Sequence, residues 1–422
     1  MSSRPNIVAE RSRGGRVRPV VLLRDPLYRR FWIAYALAQL GTWMQTTALA
    51  WLTLQVSGSA AVVGATVAMQ LAPSLLFTLP AGAFADRVAK KRLMLLIQVA
   101  QFSSSAVMAW AAWHGVDYWA VLAFTIVYGS LNAISQPVRQ AYAAELAGEH
   151  MVAAVSPLNS MTFNTARMVG PAIAGLLLGV VSAAAVFAAT VALLAPLLVV
   201  LLLPGPAEPA PHPGRQGHVL ATMLSALRRV TTDRVLLDTL LLIVAASALV
   251  NLNALVPLYA SDVLHWQAEG LGLLLSGVGV GALAAALLNV WVHTADALGR
   301  ALLSAAVLGL GCLGLAVPLP GAGPVLTVAP VLVMGLVGAG MSSLLVNCNA
   351  STQARAPREV RGSIIALNIL ATFGSAPFGA ALGGVVFEAI GGRATMALAG
   401  LLVLACALIL AVRHRAHKVQ TA

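Results

Sequence analysis

The chain has 422 residues, of which 59% are hydrophobic and 9% are charged, and its mean hydropathy is +0.87. Soluble domains contain roughly 45–50% apolar and about 25% charged residues, so this composition excludes a soluble globular protein. Disorder is excluded as well, because disordered chains combine low hydrophobicity with high net charge. The composition therefore predicts a polytopic membrane protein.

The first long apolar stretch, Phe31–Ala85, contains no acidic or basic residue. As a single helix it would be ~80 Å long, whereas the hydrocarbon core of a bilayer is ~30 Å thick, so it crosses twice, with the break at Ser57-Gly58-Ser59. The apolar runs are too long and too uniform for β-barrel strands. The same reasoning along the chain predicts twelve helical spans, at residues 31–56, 61–81, 93–113, 119–141, 152–180, 183–203, 235–261, 269–292, 301–319, 325–348, 362–387 and 394–412.

The formal net charge of +12 arises from 26 Lys and Arg against 14 Asp and Glu. Basic residues precede the first span, follow the second and occupy the central loop, and Arg139 is also assigned to a loop on that side. Because Lys and Arg mark cytoplasmic loops, both termini are expected in the cytoplasm. The protein is expected in the inner membrane of a bacterium. The charge thus indicates orientation and not nucleic-acid binding. No metal or cofactor is expected, since the Cys and His residues show no ligand spacing.

A Pro- and Gly-rich stretch, residues 204–217, follows the sixth span and divides the chain into two halves. Asp86-Arg-Val-Ala-Lys90 recurs as Asp296-Ala-Leu-Gly-Arg300, and Leu158-Asn159 recurs as Leu367-Asn368 at nearly the same offset, which indicates parallel repeats. Such halves enclose a central cavity and rock against each other. The predicted units are a basic cytoplasmic segment (1–30), an N-terminal six-helix bundle (31–203), a cytoplasmic central loop (204–234), a C-terminal six-helix bundle (235–412) and a cytoplasmic tail (413–422).

The segment Gly82-Ala-Phe-Ala-Asp86-Arg87-Val-Ala-Lys90-Lys91-Arg92 resembles the loop motif of the major facilitator superfamily, with Ala89 where glycine is usual. Asp296 to Arg300 is a degenerate copy. The resemblance implies the superfamily fold and a gating latch, in which the carboxylate of Asp86 faces a helix N-terminus. The alternative is that the basic residues only fix the orientation. The latch residues are Gly82, Asp86, Arg87, Lys90, Arg92, Asp296 and Arg300.

The fifth span contains Asn164-Thr-Ala-Arg167-Met-Val-Gly170-Pro171-Ala-Ile-Ala-Gly175. This is similar to the Gly-Pro motif of exporters in the same superfamily, and is closest to the branch that exports enterobactin and macrolides. Small residues allow close helix crossing and proline removes a backbone hydrogen bond, so Gly170, Pro171 and Gly175 are expected to form a kink at the outer gate. Alternatively, they are ordinary residues of a membrane helix.

Arg167 lies near mid-bilayer, where a charge is costly unless it faces protein or water. It is expected to attract an anionic group or to hold a coupled protonation site, or else to be a structural hydrogen-bond hub. Trp43, Met44, Phe163 and Met168 are candidate apolar walls of a cavity, or packing residues. Further polar residues are expected to face the interior, in the cavity or between helices, namely Gln39, Thr42, Gln45, Asn132, Gln136, Asn164, Asn251, Asn347 and Asn368.

These features favour a secondary active exporter of a small amphipathic compound, drug or siderophore, driven by protons through alternating access. No phosphate-binding loop for ATP occurs in the sequence. No span carries a central carboxylate, and Asp238, near the start of the seventh span, is the candidate for proton coupling. The alternatives are a lysophospholipid or lipid translocator and a membrane enzyme, although no catalytic cluster such as His-Glu-x-x-His is present. The expected partners are a small-molecule substrate, protons and membrane lipids, and the protein is expected to be monomeric.

Overall fold

The computed structural model describes residues 19–85, 88–148, 151–204, 227–291, 296–318, 324–356 and 361–421, and within these segments it contains helices and no strand. A 3-10 helix, Pro19–Arg24, precedes the first set of helices. This set consists of α1 (Pro26–Ser57), α2 (Ala60–Ala85), α3 (Lys90–His114), α4 (Tyr118–Ala147), α5 (Val152–Val180) and α6 (Ala183–Leu202). The second set consists of α7 (Arg234–Leu249), α8 (Leu252–Leu258), α9 (Ala268–Trp291), α10 (Ala297–Ala316), α11 (Pro324–Arg355), α12 (Arg361–Ile390) and α13 (Gly392–Thr421).

The turn between α1 and α2 lies where the sequence predicts it. The carboxylate of Asp25 caps α1 by accepting a hydrogen bond from Leu27 N at 2.8 Å, and Pro26 occupies the first turn. Gly58 ends α1 with a φ of 62°, a left-handed conformation that glycine adopts without a steric penalty. The long apolar stretch is therefore two antiparallel helices.

The seventh span differs from the expected single helix 235–261, because α7 ends at Leu249 and α8 begins at Leu252. The side chain of Asn251 caps α8 by accepting a hydrogen bond from Ala254 N at 3.4 Å, and its Nδ2 donates to the carbonyl of Ala376 in α12 at 3.0 Å. A π-helical turn, Tyr259–Val263, continues α8. The amide of Asn251 thus satisfies a backbone N–H that the break leaves free and joins the break to α12.

Eleven segments of the described chain are long and apolar enough to cross a membrane, counting α7, α8 and the π-helical turn as one. Helix α1 is not among them, because polar residues including Gln39, Thr42 and Gln45 lower its hydropathy. These three side chains are buried, and α1 packs against α5 and α6. The structure has the all-α, multi-pass membrane fold that the sequence predicts, with one polar helix inside the bundle.

The two ends of the helix bundle differ in charge. We call the end that carries Arg92, Arg355 and Arg413 the basic end, and the end that carries Asp117 and Glu388 the acidic end. The sequence assigns Arg139 to a loop on the basic side. In the structure Arg139 lies inside α4 instead, because this helix continues to Ala147. Its side chain is buried and stacks on Tyr35, with Cζ 4.5 Å from the ring centroid.

The apolar cores show how the two sets of helices meet. The largest buried cluster joins both sets, and its members from the first set, such as Leu49 and Leu178, lie in the acidic-end halves of their helices. Toward the basic end each set has its own cluster, around Phe31 in the first set and Ile364 in the second. The described apolar cores are therefore shared at the acidic end and separate at the basic end.

Candidate functional site

Two glycine contacts bring the two sets together near the acidic end. Gly384 of α12 packs on α2, where a Cβ atom would lie 2.5 Å from the carbonyl oxygen of Ala60 and 2.9 Å from Cα of Gly64. Gly175 of α5 packs on α9, where a Cβ atom would overlap the backbone of Gly272. Only glycine permits such close backbone approach between helices. These two crossings form a tight closure, which we call the acidic-end gate.

A carboxylate of the second set reinforces this gate. Glu388 Oε2 of α12 accepts a hydrogen bond from Ser59 Oγ at 2.6 Å and another from Ala61 N at 2.8 Å. The first N–H groups of α2 have no partner within the helix and carry partial positive charge, so an anion stabilises them. Glu388 thereby joins α12 to the first turn of α2.

Arg167 is half-buried in α5 on the side that faces the space between the two sets. Successive residues of an α-helix are about 100° apart around its axis. Gly170 of α5, which packs on α1, therefore lies about 60° to one side of Arg167, and Gly175 of α5, which packs on α9, lies about 80° to the other side. The exposed row of Met161, Val169 and Leu176 lies on the opposite face. Among the residues that the structure describes, Arg167 makes no hydrogen bond or ion pair.

Three aromatic rings meet beside Arg167. The Trp43 and Phe163 rings are edge to face with centroids 5.6 Å apart, and Phe163 meets Phe373 of α12 in the same way at 6.4 Å. Trp43 also packs on Gly170, so it contacts α5 one turn before and one turn after Arg167. We call Trp43, Phe163 and Phe373 the aromatic trio. Met44, another expected wall residue, is 3% exposed and packs in the shared core.

The polar residues of α1 lie in the interior. Thr42 Oγ1 donates to the carbonyl of Ala38 at 2.9 Å and lies 3.3 Å from Tyr128 Oη, and Gln39 is buried nearby. Gln45 is fully buried, and neither of its amide atoms makes a hydrogen bond of good geometry within the described part of the chain. Gln45 is thus the polar side chain of α1 whose burial is least compensated in this conformation.

Replacing Gln45 with methionine is expected to stabilise the fold. Each unsatisfied polar group in a protein interior costs about 1–3 kcal/mol, whereas a methionine of similar shape has no such cost. Thermal unfolding of the detergent-solubilised protein should show a higher midpoint for Gln45→Met than for wild type. Thr42→Val is the control, and it should lower the midpoint because it removes a made hydrogen bond. A lower midpoint for Gln45→Met would show that the amide is satisfied.

Several predicted cavity residues form hydrogen bonds between or within helices. Asn347 of α11 donates to Asn289 Oδ1 of α9 at 3.1 Å, and Asn368 of α12 donates to Thr352 Oγ1 of α11 at 2.7 Å. Gln136 Oε1 accepts a hydrogen bond from Arg139 at 2.7 Å. Asn132 lies half-buried in α4, and the side chains of Asn164 and Met168 lie outside the described residues.

Asp238 is 3% exposed in α7, and its Oδ1 atom lies 3.1 Å from Nη2 of Arg413 in α13. The Arg413 side chain is 43% exposed at the basic end. Both residues line a cavity of about 310 Å³ that also includes Arg234 and His414. The carboxylate is thus neutralised by a cation that reaches solvent from the basic end.

The loop motif is described only in part, because Asp86 and Arg87 lie outside the described residues, as does the environment of Gly82. Lys90 forms an ion pair with Glu145 of α4 at 3.5 Å, which ties α3 to α4 within the first set. Arg92 is exposed in the first turn of α3.

The second copy of the motif is described in full. Asp296 caps α10 through Gly299 N at 2.9 Å and lies 3.1 Å from Nε2 of His414 in α13. A Cβ atom on Gly299 would strike the Asp296 carboxylate, which explains the glycine in Asp-x-x-Gly-Arg. Arg300 follows in the first turn of α10. This copy therefore joins helices within the second set.

Helix α5 passes through Pro171 as one continuous helix, and Gly170 and Gly175 serve as contact points on α1 and α9. The sequence reasoning missed Phe373, Gly384, Gly272 and the cap by Glu388. The spacing Ala60-x-x-x-Gly64 against Ala380-x-x-x-Gly384 is a small-residue signal that could have revealed the α2–α12 crossing. No comparable sequence signal points to Phe373 or to the Glu388 cap.

A family model described as transmembrane secretion effector matches residues 18–421. The multidrug efflux pump Tap of Mycobacterium tuberculosis (strain ATCC 25618 / H37Rv) is 28% identical over 396 residues, covering 90% of this chain and 91% of that protein. The staphyloferrin A transporter of Staphylococcus aureus (strain NCTC 8325 / PS 47) is 29% identical over 152 residues, covering 36% of this chain and 38% of that transporter's length.

Solved transporter structures share the fold at low sequence identity. The nucleoside transporter NupG matches with a TM-score of 0.73 and 14% identity, over 92% of this chain and 98% of that one. The POT family transporter PepTSo matches with a TM-score of 0.66 and 13% identity, over 94% and 99% of the two chains. At these identities the matches establish the architecture of the helices.

Proposed function

The chain belongs to the transmembrane secretion effector family of the major facilitator superfamily, and on that premise we propose that it is a proton-driven exporter of small amphipathic compounds. It is a membrane transporter of small molecules and not an enzyme. The names of its relatives, a multidrug efflux pump and a staphyloferrin A transporter, favour a drug or a siderophore as substrate. The proposed mechanism is alternating access in the inner membrane of a bacterium.

The observation that carries this proposal is the difference between the two ends. The acidic-end gate joins α2 to α12 and α5 to α9, whereas the described apolar cores are separate at the basic end. Because Lys and Arg favour the cytoplasmic side, the basic end and both termini are assigned to the cytoplasm. The conformation is then the inward-facing state, in which an exporter takes up its substrate.

In the proposed cycle, substrate enters from the basic end and reaches Arg167 and the aromatic trio, midway along α5. The bundles of residues 31–203 and 235–412 then rock about this point, so that the acidic-end gate separates and the basic end closes. Asp86, which follows α2 in the sequence, is the proposed latch of the closed basic end.

We assign proton coupling to Asp238, because it is the acidic residue of the seventh span, 235–261, and its side chain is buried. In the inward-facing state its ion pair with Arg413 represents the carboxylate after proton release. We place proton uptake in the outward-facing state, for which we propose that Arg413 moves away from Asp238 within the second set.

Transport in cells tests the proposed function. Two dyes of opposite charge are used, ethidium and fluorescein loaded as its diacetate. Efflux-deficient bacteria that express the wild type should accumulate less of at least one of them than cells with an empty vector. A protonophore and the Asp86→Asn substitution should each abolish this difference. Lower accumulation that persists with the protonophore would contradict proton coupling, and no difference for either dye would contradict broad efflux.

Glu388→Gln is expected to weaken the acidic-end gate. The neutral amide cannot stabilise the start of α2 as a carboxylate does, so the population with an open acidic end should rise several-fold. A cysteine introduced at Val67, which is buried against Ala380 one turn deeper on α2, should then react faster with a membrane-impermeant maleimide added outside. Asp117→Asn, at the same end but outside the gate, should leave the labelling rate unchanged. Equal labelling rates in the wild-type, Glu388→Gln and Asp117→Asn backgrounds would show that the Glu388 cap is not part of the gate.

A further inference from the structure

The site between the two sets offers hydrogen-bond donors and no acidic partner. Arg167 presents a guanidinium that is unpaired within the described chain, and the buried indole N–H of Trp43 likewise has no acceptor there. No Asp or Glu occurs near the middle of any span in the whole sequence. A charge at this depth is expensive unless a partner neutralises it, and the chain itself supplies none nearby.

Arg139 shows that a lack of described hydrogen-bond partners is not a general property of the arginines in these helices. Arg139 is also inside a helix, but it donates to Gln136 at 2.7 Å and stacks on the Tyr35 ring. Arg139 is therefore structurally satisfied. Arg167 has the opposite character, since it is half-buried, faces the interface between the two sets and donates no hydrogen bond to any residue that the structure describes.

The surroundings of Arg167 are aromatic. Phe163 lies one turn before it in α5, Trp43 packs on α5 on both sides of it, and Phe373 reaches Phe163 from α12. Edge-to-face packing leaves ring faces available to a flat apolar group. The trio takes residues from both sets, so a ligand bound there contacts both of the units that move in alternating access.

We propose that the compounds carried by this protein are amphipathic organic anions with a flat apolar body, whose acidic group binds the guanidinium N–H donors of Arg167 and whose body packs against the aromatic trio. This inference rests on the proposed transport function. A carboxylate supplies the acceptor oxygens that these donors lack, and guanidinium–carboxylate hydrogen bonds are among the strongest in proteins. Organic cations are disfavoured, because they would meet the unpaired charge of Arg167.

Direct binding to the purified protein in nanodiscs tests this inference without transport. Fluorescein and rhodamine 123 share a xanthene ring system, but the first is an anion and the second a cation at neutral pH. Fluorescence polarisation should show that the wild type binds fluorescein at least tenfold more tightly than rhodamine 123. Similar affinity for the two dyes, or no binding of fluorescein, would overturn the proposal.

Substitutions then assign the roles of the residues. Arg167→Gln should weaken fluorescein binding by about 10–100-fold and leave rhodamine 123 binding unchanged or tighter, whereas Arg167→Lys should retain most of the preference for the anion. Phe163→Leu should weaken both dyes, because it removes ring contacts and no charge. Unchanged fluorescein affinity in folded Arg167→Gln would overturn the proposal.

These measurements separate the inference from the transport function. If both dyes bind as expected but no proton gradient drives their movement in vesicles, the proposed proton-driven export fails and the anion site stands. If vesicles transport rhodamine 123 with a gradient but Arg167→Gln does not alter charge preference, the export function stands and the anion site fails.

Discussion

Replacing Gly384 with alanine is expected to abolish transport while the protein still folds. The new Cβ atom would lie 2.5 Å from the backbone oxygen of Ala60, an atom that cannot move away as a flexible side chain can. The acidic-end gate then cannot close, so the proposed inward-facing state is lost. We expect the initial rate of dye export to fall at least tenfold, as measured in energised cells at matched protein levels.

The adjacent glycine provides a matched control. A Cβ atom on Gly383 would meet only the flexible side chain of Leu255, at 3.5 Å, which is an ordinary van der Waals distance. Gly383→Ala should therefore transport within about twofold of the wild type, since small changes away from special sites have small effects. Equal loss in both variants would point to a general defect of α12, and full activity of Gly384→Ala would refute the gate.

Asp238→Asn is expected to uncouple transport from the proton gradient. The variant has the same shape but cannot carry a proton, and Arg413 remains solvated at the basic end. In vesicles, exchange of labelled for unlabelled fluorescein should persist near the wild-type rate. Accumulation driven by an imposed pH gradient should fall to the level without a gradient.

Asp262→Asn is the control for this uncoupling, because Asp262 is exposed at the end of the π-helical turn. It should retain accumulation driven by the gradient. If Asp238→Asn also retains it, another group carries the proton. If Asp238→Asn loses exchange together with accumulation, the ion pair serves the structure and not the coupling.

The sequence predicts the helices well, because membrane thickness fixes their length and turn residues mark their ends. The break at Ser57-Gly58-Ser59 and the fifth span at 152–180 match the structure closely. Asn251 shows the limit of this reasoning, since a polar residue in an apolar run predicts an interior position but not the helix break that its side chain caps.

Pairings between helices are not visible in the sequence. The partner of Asn347 is Asn289, and the partners of Glu388 are Ser59 and Ala61, far apart along the chain. Hydropathy carries no information on how an apolar helix is rotated, so the side of α5 that carries Arg167 becomes known only from the contacts of Gly170 and Gly175. The predicted loop position of Arg139 is wrong for a related reason, because α4 extends beyond its apolar stretch and includes this residue.

Distances between spin labels at the two ends test alternating access most directly. Val181 and Gln267 line one surface cavity at the acidic end, and Arg92 and Arg355 are exposed on different sets at the basic end. In the wild type the acidic-end pair should give one short distance, and Gly384→Ala should lengthen it while shortening the basic-end pair. Opposite changes at the two ends are the predicted result. Parallel changes at both ends, or an unchanged basic-end distance while the acidic end opens, would contradict alternating access.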